Sequence, residues 1–174
     1  GRLLVTHSLD NKKISKEVNK EVGFLITNRK GGFLNLGISS KYRGLFFPFK
    51  NEVMKILDDI RIKGDIKELT NNFWNITRKT ASNKESFFMP FGINSLVYEL
   101  DKREEIELLF DIKHPYNDKV WGRNYKITEE NGKIIIEFTK TTDNKEDSTH
   151  GEKEFSVFEV IQPAPNSTII ILDE

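Results

Sequence analysis

The sequence predicts a mainly β fold, an antiparallel β-sandwich of about a dozen short strands with little helix. Three observations predict it. Alanine, the best helix former, occurs only at positions 81 and 164 of 174 residues, whereas Ile, Val, Thr and Phe are abundant. Short apolar runs are punctuated throughout by Gly, Pro, Asn and Ser turn signals. One of those signals, Asn131-Gly132 flanked by Glu130 and Lys133, is the favoured two-residue type I′ hairpin. With no internal repeat and no convincing interior linker, one domain is expected over residues 1–174.

Composition narrows the function classes. Twenty-seven basic residues balance twenty-seven acidic ones, so no net field draws the chain to nucleic acid or anionic lipid. The absence of cysteine excludes disulfides and thiolate metal sites. No apolar run approaches a membrane span, and the N-terminus lacks a signal-peptide layout. A cytoplasmic protein with no cofactor, no membrane and no nucleic-acid partner is expected.

Taken in order, Leu3 to His7 is a short strand and Asp10 to Lys20 a charged connector. His7 stands alone, without a partner at metal-ligand spacing. The next stretch organises the chain. Phe24 to Ile26, a run from Phe33 and a run from Leu45 read as three strands of a tight meander, separated by Asn28, Gly31, Gly32 and the Tyr42-Arg43-Gly44 segment. A fourth strand spans 53–62. Strict alternation puts Asp58 on one face with Met54, Ile56, Ile60 and Ile62, so it is either paired inside or turned out by a bulge. Arg43 is its candidate cation, on a sequential strand.

Residues 63–72 read as a polar turn region and Arg78 to Ser86 as a loop with no core to join. Trp74, Phe88 and Phe91 read as core; a stacking platform for sugars or bases is the alternative. Strands follow at 96–100 and 106–112, then a turn over His114 to Asp118. In the Asn131-Gly132 hairpin, Ile127 faces Ile136, Tyr125 faces Phe138 and Lys126 faces Glu137. The same register sets Arg123 opposite Lys140. Trp121, Gly122 and Arg123 therefore stand at the far end of the hairpin, as a sugar-binding corner or as a structural sheet margin. A polar loop over 141–153 contains His150 without the ligand spacing of a calcium or other metal site. Phe155 to Ile161 is a strand, and Thr168 to Leu172 reads as a last strand apolar on both sides.

The Thr27-Asn28-x-x-Gly31-Gly32-aromatic block, the Lys41-Tyr42-x-Gly44-Leu45-Phe46-Phe47 block and the following strand with Leu57-Asp58-Asp59 resemble the N-terminal domain of bacterial and archaeal glycogen-debranching enzymes of the amylo-1,6-glucosidase type. The likeness covers about residues 22–60 and continues more weakly through Trp121-Gly122-Arg123. Arg29 and Arg43 replace a glycine and a histidine of the family pattern, and the segment between the blocks is shorter, as in a divergent member. In that family the domain is a β supersandwich packed on an (α/α)6 barrel that carries the two catalytic carboxylates.

The resemblance implies that this chain is the non-catalytic N-terminal part of a longer α-glucan-processing glycoside hydrolase. Its expected partner is the helical catalytic domain of the same parent chain, with α-glucan and self-association as further expectations. Tyr42, Arg43, Trp121 and Arg123 are the candidate carbohydrate-binding or interface residues. Asn28, Gly31, Gly32, Gly44 and Asp58 are the structural motif, and no catalytic residue is assigned. A free-standing carbohydrate-binding module presenting Trp121, Trp74 or Tyr42 is the alternative. A small glycosidase using Asp58 and Asp111 is a third possibility, from the enzyme class.

Overall fold

In the computed structural model, which describes residues 1–9, 12–115, 117, 119–141, 154–168 and 170–172, every regular element among the described residues is a β-strand. The chain divides into two compact units, Gly1–Asp118 and Lys119–Glu174. The division falls at the His114 to Asp118 turn, where the sequence offers turn residues but no linker composition. The architecture is mainly β with antiparallel pairing throughout except one parallel pair, and it is sandwich-like. No helix among the described residues is long and apolar enough to cross a membrane.

The first unit holds two sheets. One comprises β1 (Leu3–Leu9), β2 (Lys12–Val18), β7 (Glu68–Asn71), β8 (Ile76–Lys79), β9 (Lys84–Phe88) and β10 (Val97–Leu100), in the order β10-β9-β8-β7-β1-β2. The other comprises β3 (Phe24–Thr27), β4 (Phe33–Leu36), β5 (Gly44–Phe49), β6 (Glu52–Ile62) and β11 (Ile106–Lys113), in the order β11-β6-β5-β4-β3. The meander of the sequence is thus three neighbouring strands, β3 to β5. Side chains join the two sheets: the Phe24 and Phe87 rings lie 5.1 Å apart between centroids, and Arg78 donates to the Ile60 carbonyl at 3.2 Å. The core draws Leu34, Leu36, Phe46, Met54 and Ile60 from one sheet and Leu69, Ile76 and Phe87 from the other.

Four segments differ from the sequence expectation. Residues 12–18, expected as connector, form β2, paired along its whole length with β1. Six of its seven residues are exposed, so it carries no apolar alternation to reveal it; its lysines suit an edge strand that must not recruit another chain. Part of the expected polar turn region, Glu68–Asn71, is β7, paired parallel to β1.

The expected loop from Arg78 to Ser86 supplies parts of β8 and β9, and it does join the core. Arg78 binds Glu85 through two nitrogens, at 2.8 and 2.7 Å, and the pair is buried between Phe24 and Phe87. Tyr98 donates to the same carboxylate at 2.8 Å. Burial, then the Glu85 charge, raises the Tyr98 hydroxyl far above its usual value. A bidentate pair with its remaining polar atoms satisfied is tolerated where an isolated charge is not, which is how so polar a segment lies inside.

The last difference is the tail. Ile170, Ile171 and Leu172 are exposed and outside any strand, so apolar composition at the C-terminal end does not produce a doubly buried strand.

The second unit is one sheet of β12 (Arg123–Glu130), β13 (Lys133–Lys140) and β14 (Phe155–Ile161), in the order β12-β13-β14. Asn131 and Gly132 have φ of 52° and 74°, the left-handed pair a type I′ turn requires. Ile127 pairs with Ile136, Tyr125 with Phe138, Lys126 with Glu137 and Arg123 with Lys140. Ile134, Ile136, Phe138 and Val157 are buried on one face. The 142–153 segment, with His150, lies outside the described residues.

Candidate functional site

The motif residues of the meander lock into one another. Asn28 is 1 % exposed, and its side chain uses both ends: Oδ1 accepts from the Lys30 and Gly32 amides at 2.9 and 2.8 Å, while Nδ2 donates to the Ile93 carbonyl at 3.0 Å and to Asn94 Oδ1 at 3.3 Å. The Asn28 backbone accepts from the Gly92 amide at 2.9 Å. A single asparagine therefore fastens the β3–β4 loop to the 90–95 turn, satisfying donors and acceptors that burial would otherwise leave unpaired. Gly32 is required by closeness, since a Cβ there would stand 2.6 Å from Asn28 Nδ2. Gly31 is required by conformation, with φ of +95°, since a Cβ there would meet only the Pro48 ring, at an ordinary contact distance of 3.8 Å.

Gly44 opens β5 at φ +115°, and a Cβ on it would meet the Leu57 carbonyl oxygen at 1.9 Å. That contact marks where β6 breaks its alternation. Leu45 pairs with Leu57 but Phe46 with Lys55, leaving Ile56 as an extra residue against β5; against β11, Leu109 pairs with Asp59 and Phe110 with Leu57, leaving Asp58 extra. β6 is thus bulged on both sides.

Asp58 is paired as well as bulged. Arg43 donates to its Oδ2 and Lys55 to its Oδ1. Lys55, 4 % exposed, also lies 3.4 Å from Asp111, whose carboxylate is 3.1 Å from Lys113. Burial pushes the Asp58 carboxyl up, but the hydrogen bonds and charges of Lys55 and Arg43 outweigh it and hold the group below the ordinary aspartate value. The sequence singled out Arg43, Asp58 and Asp111 but missed Lys55, the cation that joins the two carboxylates. No local signal marks a strand lysine as buried; only the bulge puts it there. Asp58 and Asp111, the acid pair of a small glycosidase, do come together, but as anions around a shared ammonium. A general acid needs a carboxyl held protonated, and Asp58 is shifted the other way.

Tyr42 is 39 % exposed beside this cluster in sequence, and its carbonyl accepts from Asn35 Nδ2 at 3.1 Å. Trp121 and Arg123 belong to the second unit, so the four candidate binding residues divide between the units. Trp121 is half-buried, with the Lys140 ammonium 3.6 Å from its ring centroid and donating to its carbonyl. One indole face is thereby occupied by a cation. Gly122 has φ +70°, and a Cβ there would meet the Thr141 carbonyl at 2.3 Å, so the close approach of these two backbones requires glycine.

The aromatic cluster expected in the core is in solvent: Trp74 is 64 %, Phe91 76 % and Phe88 40 % exposed. Sequence cannot separate a core aromatic from a displayed one when both flank an apolar strand; here Phe87 takes the buried face of β9, and Phe88 points the other way. Compared with protein-family models, with curated proteins and with solved structures, the chain has no significant match.

Proposed function

We propose that this chain is a non-catalytic β-sandwich domain of an α-glucan-processing, glycogen-debranching-like glycoside hydrolase, the part that packs on a helical catalytic barrel. One observation carries the reading. Of the residues of the resemblance, Asn28, Gly31, Gly32 and Gly44 build the meander and Asp58 fastens the next strand to it through Arg43, and the polar atoms of Asn28 and Asp58 are committed to internal partners. A likeness carried by scaffold residues points to a shared scaffold, with chemistry supplied elsewhere in the parent chain. The lowered Asp58 carboxyl supports the same reading, because it disfavours Asp58 and Asp111 as the acid pair of a glycosidase.

A second reading, a free-standing carbohydrate-binding module, is favoured by the exposed Trp74. Two measurements decide among the readings. The isolated chain is expected to leave maltooligosaccharides and branched dextrins intact, and the native reading frame is expected to continue past Glu174 into several hundred helix-rich residues, a size expected of a barrel domain, on the order of a TIM barrel's length. Turnover abolished by Asp58→Asn or Asp111→Asn would overturn the proposal in favour of a small glycosidase.

A further inference from the structure

The four-residue connection between β7 and β8, Asn72 to Asn75, is built to display two aromatic rings. Phe73 has φ of 68°, a region that a bulky residue occupies only under constraint. The constraint is a closed set of hydrogen bonds. The Phe73 amide donates to Asn71 Oδ1 at 2.8 Å and the Trp74 amide to the Asn72 carbonyl at 2.9 Å. Asn72 is tied to Asn75 by its backbone at 3.0 Å and by its side chain at 2.9 Å, and Asn75 is tied to Ser86 at 3.1 Å. Glycine is the residue such a turn favours; this chain places phenylalanine there, and leaves Phe73 60 % and Trp74 64 % exposed.

The rings border a groove of about 220 Å³, with Leu25, Ile26 and Met89 as its apolar lining and Thr27, Arg29 and Asn71 as its polar lining. Among the described residues the Arg29 guanidinium has no partner, and the Asn71 amide nitrogen has no acceptor once its oxygen has taken the Phe73 amide. Donors without a protein partner, lining the same groove as exposed aromatic faces, are the elements of a small ligand site.

We propose that this groove binds a pyranose ring of a glucan chain, the C–H face of the sugar lying on Trp74 and its hydroxyls accepting from Arg29 and Asn71. Planar, rigid rings suit that apolar sugar face, and the volume fits a single ring better than a drug-sized molecule. A fork of guanidinium donors matches vicinal hydroxyls. The balanced charge of the chain argues against a nucleic-acid strand, which needs a basic track as well as a stacking platform. That the sugar is a glucan, and α-linked, rests on the function proposed above; the fit of the groove to a pyranose ring does not.

The test is isothermal titration calorimetry of the full chain with maltoheptaose and with cellohexaose, at millimolar sugar. Saturable binding is expected, weakened about tenfold or more in Trp74→Ala and also weakened in Arg29→Ala, but unchanged in Trp121→Phe. In Trp121→Phe, where Trp74 is the sole indole, sugar should shift the fluorescence. Phe73→Gly relieves the left-handed backbone, so it should hold or raise the melting temperature while weakening binding, which separates a displayed ring from a structural one. Cellohexaose binding in place of maltoheptaose would support the groove and overturn the α-glucan reading. Binding of neither sugar, or binding unaffected by both Trp74→Ala and Arg29→Ala, would overturn the groove and leave the accessory-domain reading standing.

Discussion

Lys55 and Asp58, three residues apart on one strand, lie on the same face of β6 and are hydrogen-bonded through their side chains. An odd spacing puts two side chains on opposite faces of a regular strand. The extra residue between Lys55 and Leu57, relative to β5, shifts the alternation by one and brings them together. Gly44 is the counterpart of that shift on β5, because the displaced Leu57 carbonyl fills the space a side chain would need. Bulge, glycine and ion pair are therefore one device, and Arg43 and Asp111 complete its charge balance.

Removing the shared anion should unbalance this device. Asp58→Ala leaves Lys55 buried with Asp111 alone, and a loss of about 2 kcal/mol or more is expected in urea unfolding. The wild type should also show an acid-dependent loss. The Asp58 carboxyl is lowered in the folded state, so its contribution is complete above the ordinary value of 3.8 and disappears as pH falls through the lower folded value. Asp58→Asn should flatten stability against pH in that acid range; an unchanged slope would mean the pair does not form in solution.

Two glycines of one motif should respond differently to alanine. At Gly31 only the backbone angle is unfavourable, the nearest atom to a new Cβ being 3.8 Å away, and a cost of about 1 kcal/mol is expected. At Gly44 the Cβ would stand 1.9 Å from a backbone oxygen, so Gly44→Ala must displace β6 and should cost about 3 kcal/mol or more, or prevent folding. Equal melting temperatures for the two variants would contradict the close approach.

The parts of this fold that the sequence made legible are those governed by local rules. Asn131-Gly132 fixes its own turn and, through it, every pairing from Arg123–Lys140 to Glu130–Lys133. The β3 to β5 meander is legible from glycine and asparagine between apolar runs. What stayed hidden depends on partners far along the chain. β2 is an edge with six of its seven residues exposed, and Ile14 and Val18, interleaved with Lys12 and Lys16, make no apolar period to mark it. β8 and β9 are hidden by Arg78 and Glu85, whose burial makes sense only once each is seen to neutralise the other. The exposed Ile170 to Leu172 shows the converse, apolar residues with no described strand to join.

The candidate site was legible in the same uneven way. Arg43 with Asp58 follows from a carboxylate among apolar neighbours and a cation on the adjacent strand. Lys55 does not, because it takes a bulge to put it beside Asp58. Trp74 reads as core from its apolar surroundings, yet the asparagine-rich turn that displays it gives a sequence signal, three Asn around two aromatics.

Gly132 offers a test confined to conformation. Its φ is +74° and nothing lies within 4 Å of where a Cβ would stand, so Gly132→Val meets no steric neighbour beyond its own backbone. A cost of more than about 1 kcal/mol is expected from forcing a β-branched residue to positive φ. Gly132→Asn, which tolerates that region, should cost less. If both substitutions were neutral, the turn would not be holding the register of the sheet.

Glu159 gives the second unit a pH dependence opposite in sign to that of Asp58. It pairs in register with Ile136 on the buried face of the sheet, between Val157 and Ile161, and burial pushes its carboxyl up from 4.5 to about 7. A carboxyl raised in the folded state contributes full stability below 4.5 and loses it as pH rises through about 7, because unfolding then releases a charge that the fold disfavours. Glu159→Gln keeps the shape and removes the charge. It should match the wild type near pH 4 and exceed it near pH 8 by on the order of 2 kcal/mol. Urea unfolding of a Trp74→Phe background, in which Trp121 reports on the same unit as Glu159, measures the difference. A variant less stable than the wild type at pH 8 would show that the Glu159 carboxylate is paired in solution, and that the sheet face around it is wetter than its apolar neighbours imply.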